Sequence, residues 1–425
     1  MGVRTSRIQG ASHAGSFIIA TTLLLATVVP CHAVTPVRVG MASNVDHIEL
    51  EVHEATGNLF AVERYTIRWG LDPPDTFGWA LLISTDNGDS WAQTFSSTPR
   101  PDPSEYISAT IVHDYLYIVS QEAGAASGLV DIQRFAVADG AADSAFGVFT
   151  VIDVGVGQLK DLVLSGNTDA SDGALYLLLI DRDGNLRFFV AWDYSFADGA
   201  TAEDFSEIPT GVTSADWRLD VAFNVGDSPY SLFASYIDNS HKLCVWRMSQ
   251  TANNVLVLTP EASSNSSIRI AADQDAVIIV YLRDDLSNSD IRYHRTQDAG
   301  ATWSWGTLAE DIGDGVTYTA PTATARWSRG IQAVYHKMGT GGAALYSTRR
   351  PVEEDHWTTP SLTFDTGIRT GARTDVQPLV DGSWGVLFIS DAGDPQAVWF
   401  MQLPMIFADG FASEDVLLWS ASAGS

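Results

Sequence analysis

Short runs of apolar and β-branched residues alternate along the chain with polar turns rich in Gly, Asp, Asn and Ser, and one order of runs recurs seven times. Each repeat has a first run, a turn, a second run rich in aromatic and β-branched residues, and a third run. The third runs begin at residues 80, 130, 186, 243, 291, 344 and 397, at intervals of 48–57 residues. No stretch keeps a helical apolar period, so the pattern predicts an all-β chain.

The repeat predicts a β-propeller. A fourth, less regular run closes most repeats, and four antiparallel strands repeated at about 40–50 residues are typical of propeller blades. A sheet with two apolar faces cannot bury both alone, whereas a closed ring of sheets buries them all. We predict one seven-bladed propeller of four-stranded antiparallel blades over residues 34–425, with six or eight blades as alternatives; two β-sandwiches would not explain a single period. The predicted blades span approximately residues 44–98, 104–155, 158–212, 214–262, 265–312, 317–366 and 372–425.

Closure of such a ring requires one blade to take strands from both ends of the chain. Residues 36–43 (PVRVGMAS) precede the first complete repeat and can supply the outer strand of the last blade. Residues 416–422 (VLLWSAS) compete for the same place. We favour the N-terminal run.

Two turns between third and fourth strands share one chemistry. In 84–91 (STDNGDSW) the aspartate can accept hydrogen bonds from its own turn, the glycine can take a positive φ, and the tryptophan can cover the turn. Residues 296–303 (TQDAGATW) repeat the same offsets. The residues concerned are Ser84, Asp86, Gly88, Ser90 and Trp91, and Thr296, Asp298, Gly300, Thr302 and Trp303.

The form S/T-x-D-x-G-x-S/T-W resembles the Asp-box, also called the BNR repeat, of sialidases and related propellers. As a residue motif, the resemblance covers these two octamers, and 347–357 (STRRPVEEDHW) looks like a decayed copy. It implies a sialidase-like propeller in which the boxes lie at the blade periphery, away from the active site, and are structural.

The resemblance also implies what a sialidase site would need: three arginines for the sugar carboxylate, a Tyr–Glu nucleophile pair and an aspartic acid. The first arginine in that family lies in an Arg-Ile-Pro tripeptide, which does not occur here. Sialidases have six blades rather than seven. Both departures count against transfer of the activity.

Charged residues on the predicted innermost strands are the candidate ligand-binding groups. Arg218, Arg269 and Arg326 fall on blades four to six, and three converging guanidinium groups would bind an anion. Glu49 and Glu51 face one side of the first strand and are the candidate catalytic carboxyl groups. The favoured alternative is that these residues pair with one another in a wet channel.

His53 and His113 are also candidate channel residues, and for both we favour a solvated, non-catalytic position. Residues 181–185 (DRDGN) resemble the start of a calcium loop but lack the later glutamate, so a hairpin turn is preferred. The sequence therefore predicts no cofactor and no metal site; Ca²⁺ has no specific motif to support it.

The first 33 residues are typical of a secretory signal peptide. Arg4 and Arg7 precede the apolar run 17–29, and small residues follow, so we expect cleavage after Ala33 and a secreted or periplasmic protein; a buried N-terminal helix is the alternative. Residues 406–420 resemble a C-terminal element of exported bacterial proteins.

Cleavage would change the formal net charge from −28 to −30, which disfavours nucleic acid and anionic membranes as partners. No later run is long enough for a membrane span. Only Cys244 would remain, so no intrachain disulfide is expected, and stability must come from a core that 45% hydrophobic residues can supply.

Three functions are compatible with these features. The favoured one is a non-catalytic module that recognises a carbohydrate or a protein at a channel mouth. The second is an exo-acting glycoside hydrolase or lyase, in which the three arginines hold a sialic or uronic acid and Glu49 or Glu51 is the acid or base. The third is a purely structural or surface interaction protein.

Overall fold

In the computed structural model, the described residues all belong to one compact unit, Thr35–Ser425. The predicted signal peptide and residues 404–425, which include the run 416–422 and the bacterial-type element, lie outside the described residues. The described residues are 35–40, 44–67, 76–99, 106–121, 127–156, 159–167, 173–196, 202–224, 231–249, 253–259, 268–273, 276–285, 288–310, 316–326, 330–339, 342–350, 356–365, 367–369, 372–390 and 397–403.

The described residues form 28 strands and one 3₁₀ turn, Ala202–Asp204. None of the helical structure in this part of the chain could cross a membrane. The strands are β1 (Val37–Arg38), β2 (Val45–Val52), β3 (Leu59–Ile67), β4 (Thr76–Ser84), β5 (Ala92–Ser96), β6 (Ile107–Val112), β7 (Tyr115–Gln121), β8 (Ser127–Ala136), β9 (Val148–Val156), β10 (Asp161–Asn167), β11 (Ala174–Ile180), β12 (Leu186–Ala191), β13 (Ser206–Ile208), β14 (Ala215–Asn224), β15 (Ser231–Asp238), β16 (Leu243–Ser249), β17 (Asn253–Thr259), β18 (Ile268–Asp273), β19 (Ala276–Asp285), β20 (Asn288–Thr296), β21 (Ser304–Ala309), β22 (Thr317–Arg326), β23 (Gly330–Gly339), β24 (Gly342–Arg350), β25 (Ser361–Phe364), β26 (Asp375–Pro378), β27 (Trp384–Ser390) and β28 (Ala397–Leu403).

These strands pair into seven four-stranded antiparallel sheets, which confirms the predicted seven-bladed propeller. From the innermost strand outwards, the blades are β2-β3-β4-β5, β6-β7-β8-β9, β10-β11-β12-β13, β14-β15-β16-β17, β18-β19-β20-β21, β22-β23-β24-β25 and β26-β27-β28-β1. We number them blades 1 to 7 in this order. The innermost strand of each blade contacts that of the next, and β26 contacts β2, so the ring is complete.

The ring is closed by the N-terminal run, as predicted. β1 pairs antiparallel with β28, with Val37 opposite Phe400, and the N–H of Val39 donates to the carbonyl of Val398 at 2.9 Å. Blade 7 therefore takes its outermost strand from the start of the chain and its other three from the end.

Both faces of the blade 3 sheet are apolar, as its strand β11 shows. All seven of its residues are buried. Leu175, Leu177 and Leu179 belong to the core shared with blade 2, while Tyr176 and Leu178 belong to the core shared with blade 4. Because side chains alternate along a strand, a continuously apolar run is what a sheet between two neighbours requires.

The turn 84–91 forms the hydrogen bonds that its residue types predict. Ser84 Oγ donates to Asp86 Oδ1 at 2.8 Å and accepts from the N–H of Gly88. Asp86 also accepts from the N–H and the hydroxyl of Ser90, and Trp91 Nε1 donates to the carbonyl of Gly88 at 3.2 Å. Ser84, Asp86, Ser90 and the Trp91 indole thus all have partners within the turn.

The turn 296–303 repeats these contacts with threonines. Thr296 Oγ1 donates to Asp298 Oδ1 at 2.7 Å and accepts from the N–H of Gly300, and Thr302 donates twice to Asp298. Hydrogen bonds from Thr296 and Thr302 lower the pKa of Asp298 to about 2. Asp298 therefore holds its turn as an ionised acceptor.

Both turns pack against the preceding blade. Gly88 has φ 95°, and a Cβ on it would lie 2.0 Å from the ring of Phe400 in blade 7, whose centroid is 5.4 Å from that of Trp91. Asn87 donates to Asp381 of blade 7 at 2.7 Å. In blade 5, a Cβ on Gly300 would lie 2.8 Å from Phe233 of blade 4. The glycines therefore permit both the turn and close contact between blades.

We predict that Gly88→Ala destabilises the protein by about 2–5 kcal/mol, because backbone strain at positive φ adds to overpacking against Phe400. Gly155→Ala is the matched control: Gly155 has φ 84°, but nothing lies within 4 Å of its Cβ position. It should cost about 1 kcal/mol. Urea unfolding measures both, and equal losses would show that contact with blade 7 contributes nothing.

A buried carboxyl group lies beside the closing strand. Glu63 on β3 is 1% exposed, its Oε1 has no hydrogen-bond partner, and a Cβ on Gly40 would lie 2.3 Å from its Oε2. Burial raises the pKa of Glu63 to about 8, although the charge of Arg38 opposes the shift. Glu63 is therefore protonated at neutral pH.

We predict that the stability of the wild-type protein falls as the pH rises from about 4.3, the ordinary glutamate pKa, to about 8. The folded state binds this proton more tightly than the unfolded state, so the stabilisation present at low pH is lost as the folded pKa is passed. Glu63→Gln should reduce the slope by up to about 1.4 kcal/mol per pH unit. Urea unfolding between pH 5 and 9 tests this, and parallel curves would contradict it.

Candidate functional site

A polar cavity of about 210 Å³ lies among the innermost strands at the centre of the ring. Six charged side chains line it, contributed by blades 1, 4, 5 and 7 and by the segment before β26. They are Glu49, Glu51, Asp220, Arg269, Arg373 and Asp375. Ser108, Thr110, Ser165, Thr324 and Gln377 add neutral polar groups to the lining.

Four of these side chains, and also Asp161, which does not line the cavity, connect one blade to the next. Each accepts a hydrogen bond from a backbone N–H on the innermost strand of the following blade. The pairs are Glu49 with Ala109 at 2.6 Å, Ser108 with Leu164 at 3.1 Å, Asp161 with Leu219 at 2.8 Å, Asp220 with Ile270 at 2.8 Å, and Asp375 with Leu50 at 2.8 Å. We call these five contacts the interblade hydrogen bonds.

Glu49 is the best-connected carboxylate. Its Oε1 accepts a hydrogen bond from Arg373 Nη2 at 2.9 Å, while its Oε2 accepts one from the N–H of Ala109. His47 Nε2 lies 3.2 Å from Glu49 Oε1 and 3.0 Å from Arg373 Nη1. Burial and then the charge of Arg373 lower the pKa of His47 well below its usual value, so the imidazole is neutral at pH 7.

The cavity raises the pKa of its carboxyl groups. Burial raises the pKa of Glu51 well above its usual value, and the charges of Glu49 and Asp375 add to the effect. Burial likewise raises the pKa of Asp375 to about 6, against the opposing effect of Arg373. Burial raises the pKa of Glu49 as well, again opposed by Arg373. The cavity thus favours the protonated form of all three carboxyl groups more than water does.

Of the predicted arginines, Arg269 and Arg218 do not meet at this cavity. Arg269 lines it, and its Nη1 donates to the carbonyl of Ile268 at 3.0 Å. Arg218 is exposed at φ 60° in a register irregularity of β14 and lies outside the lining, although its charge acts on Asp161. The side chain of Arg326 lies outside the described part of the structure. Arg373, which the strand pattern did not indicate, stands beside Arg269 instead.

The two histidines predicted to be solvated do not line the cavity. His53 follows β2, and its Nδ1 lies 2.8 Å from Thr56 Oγ1 within the turn. His113 has φ 51° in the turn after β6, with its ring centroid 4.7 Å from that of Tyr194. Both belong to hairpin turns.

A sequence signal for the missed residues does exist. In blades 1, 3, 4 and 7 the innermost strand carries an acid directly followed by an apolar residue, at Glu49-Leu50, Asp161-Leu162, Asp220-Val221 and Asp375-Val376. All four acids make interblade hydrogen bonds. Arg373 has no such signal, because it precedes its strand. Within the described ranges, no group of three or more His, Cys, Asp or Glu side chains is arranged to hold a metal ion.

Comparison with known proteins gives only distant structural likenesses. No family model matches the chain, and no curated protein matches it in sequence. The phage phi92 endosialidase superposes with a TM-score of 0.47 at 10% identity, covering 87% of this chain and 69% of that one. An α-L-arabinofuranosidase from Fusarium graminearum, Arb93A, gives 0.47 at 10% identity, with 87% and 98% covered.

The SapL1 lectin in complex with α-methyl fucoside gives a TM-score of 0.42 at 12% identity, with 77% and 97% covered. These neighbours are β-propeller proteins that bind or process glycans. Likeness at these values does not assign a ligand or an activity to this chain.

We predict that Asp375→Ala and Asp375→Asn differ in stability. The alanine variant leaves the buried N–H of Leu50 without an acceptor and should lose about 1–3 kcal/mol. The asparagine variant keeps an oxygen acceptor but cannot titrate. Because the pKa of Asp375 is raised to about 6, wild-type stability should fall between about pH 4 and 6, and Asp375→Asn should flatten that fall. Urea unfolding at pH 4.5, 6 and 7.5 tests both points; identical variants would contradict the hydrogen-bond role.

Proposed function

We propose that this protein is a non-catalytic recognition module that binds a glycan in the central cavity. The observation that carries the proposal is the lining of the cavity, in which guanidinium, amide, hydroxyl and carboxyl groups from different blades surround a single space. Hydroxyl-rich ligands need donors and acceptors on several sides at once. A ring of innermost strands supplies them from a rigid frame.

The interblade hydrogen bonds favour recognition over catalysis. Glu49, Asp220 and Asp375 each accept a backbone N–H of the next blade. A carboxyl group used in this way is held in one position. Fixed groups suit a binding site, since little conformational freedom is lost when a ligand arrives.

The charged side chains of the central cavity favour an uncharged glycan terminus as the ligand. Arg373 is paired with Glu49, and the charges of Asp220, Asp375 and Glu49 all act on Arg269. Neither guanidinium is therefore an uncompensated cation for a sugar carboxylate. A volume of about 210 Å³ lies below the range of about 300–1,000 Å³ that is typical of small-molecule sites. It suits one terminal sugar unit or its hydroxymethyl arm rather than an oligosaccharide.

One observation favours a second candidate, a glycoside hydrolase or lyase. Burial and the charges of Glu49 and Asp375 raise the pKa of Glu51 well above its usual value, which suits a general acid, while Arg373 donates a hydrogen bond to Glu49. The predicted signal peptide, if cleaved, would place either activity outside the cytoplasm.

The test compares binding and turnover on the same glycans. An array of neutral, sialylated and uronic-acid glycans measures binding, and a fluorogenic sialoside with a set of uronic-acid oligosaccharides measures turnover. We expect binding of neutral glycans without turnover. Arg269→Gln and Gln377→Leu, both in the cavity, should each weaken binding about tenfold, the effect of losing one charged or two neutral hydrogen bonds.

Arg187→Gln is the matched control, since Arg187 pairs with Glu207 on the outside of blade 3; it should bind as the wild type does. Binding that survives both cavity variants, or binding to no glycan at all, would refute the proposal. Turnover that Glu51→Gln abolishes would establish the second candidate in its place.

A further inference from the structure

A second opening lies between blades 1 and 2, away from the central channel. It is a groove of about 310 Å³, lined by β4 and β5 of blade 1 and by β7, β8 and the segment 141–148 of blade 2. It shares no lining residue with the central cavity. Its volume reaches the lower end of the range of small-molecule sites, about 300–1,000 Å³.

The groove exists because the core between the two blades ends early on one side. On the face of blade 2 that meets blade 1, Phe135 and Leu116 are paired and fully buried. Along the two strands, the next pair on this face is Gln133 and Ile118, and the one after is Asp131 and Ser120. The residues of blade 2 that face blade 1 thus change from apolar to polar before the interface between the two blades ends.

On blade 1, the residues opposite these polar side chains remain apolar. Trp79 and Phe77 follow one another on the face of β4 that meets blade 2, and Phe95 of β5 lies 4.8 Å from Trp79 between ring centroids. Phe77 and Phe95 are both partly exposed. An aromatic wall therefore stands opposite an amide, a carboxylate and a hydroxyl group across open space.

The far wall of the groove is fixed in place. Arg134 donates through Nε and Nη2 to Asp143 Oδ2, at 3.0 and 2.7 Å, and its guanidinium lies 4.3 Å above the ring of Tyr115. Asp143 Oδ1 accepts from the N–H of Ala145 at 3.0 Å. These contacts hold the segment 141–148 before any ligand binds, and they leave Arg134 without free charge.

Free polar groups point to the class of ligand. The Gln133 amide and the Ser120 hydroxyl make no hydrogen bond to another described residue, whereas Asp131 accepts from Thr150 Oγ1 at 2.7 Å and keeps a second oxygen. Asp131 and Asp143 line the groove, and its one arginine, Arg134, is paired with Asp143, so an anionic ligand is disfavoured. An aromatic wall opposite hydrogen-bonding groups matches a ring that is apolar on one face and bears hydroxyls at its edge.

We propose that this groove binds one neutral pyranose unit, with the apolar face of the sugar on Phe77 and Phe95 and its hydroxyls on Gln133, Asp131 and Ser120. The site is separate from the central cavity and does not require a ligand there. A chain that carries both would hold a glycan at two points.

Saturation-transfer NMR with methyl β-D-glucopyranoside, methyl β-D-galactopyranoside and methyl α-D-mannopyranoside, followed by titration, tests the proposal. At least one should bind, and methyl β-D-glucuronide should bind more weakly than methyl β-D-glucopyranoside. Gln133→Leu should weaken binding about two- to tenfold and Phe77→Ala at least about tenfold. Gln93→Leu, the same change on the exposed outer strand β5, should have no effect.

Circular dichroism melting establishes that each variant is folded; Gln133→Leu changes a partly exposed side chain and keeps the test independent of Phe77. If no neutral glycoside binds, or if Gln133→Leu and Phe77→Ala bind as the wild type does, the groove site is refuted. Binding lost in Arg269→Gln but kept in both groove variants would place the sugar in the central cavity instead, which supports the proposed function alone. Binding lost only in the groove variants supports the groove alone.

Discussion

Sheets that are apolar on both faces, such as that of blade 3, impose the constraint that determines the rest of the architecture. A strand such as β11, buried along its whole length, presents Leu177 to one neighbour and Tyr176 to the other. A blade with a neighbour on only one side would expose half of that surface to water. Stability is therefore a property of the closed circle, and the contact between β26 and β2 matters as much as any contact within a blade.

The innermost strands are subject to a second constraint, which concerns their backbone hydrogen bonds. The innermost strands have no further strand to pair with on the side of the central channel, so their backbone groups on that side need other partners. Glu49, Ser108, Asp161, Asp220 and Asp375 supply these partners across the blade boundaries. The same carboxyl groups give the central cavity its electrostatic character, and their raised pKa values show that desolvation there is only partly compensated. Structure and ligand site share one set of side chains.

The fold could be predicted because it is encoded locally. Strand runs, turn residues and the 48–57-residue period each follow from neighbouring positions, and the two turns with Gly88 and Gly300 form the hydrogen bonds that their chemistry predicts. The closing strand was predicted for the same reason, since residues 36–43 have strand character and no blade of their own.

The site could be predicted only in part. Glu49, Glu51 and Arg269 were found because they lie on innermost strands. Arg218 lies outside the cavity lining at a register irregularity in β14, and such a shift depends on the pairing of β14 with β15. Arg373 and His47 meet only when blades 7 and 1 come together, 326 positions apart in sequence. No local pattern contains that contact, and the groove beside Gln133 likewise needs two blades to exist.

The pairing of β1 with β28 has a consequence for biosynthesis. β1 is the first strand of the ring to leave the ribosome, and its partner is the last. During elongation the earlier blades can form in order, but blade 1 keeps an uncovered apolar face until residues 397–403 have emerged. Closing so large a loop is slow compared with local pairing. The nascent chain therefore passes through an open arc whose two end faces are complementary to each other, and in that interval dimerisation by exchange of the terminal strand and capture by chaperones compete with completion of the monomer.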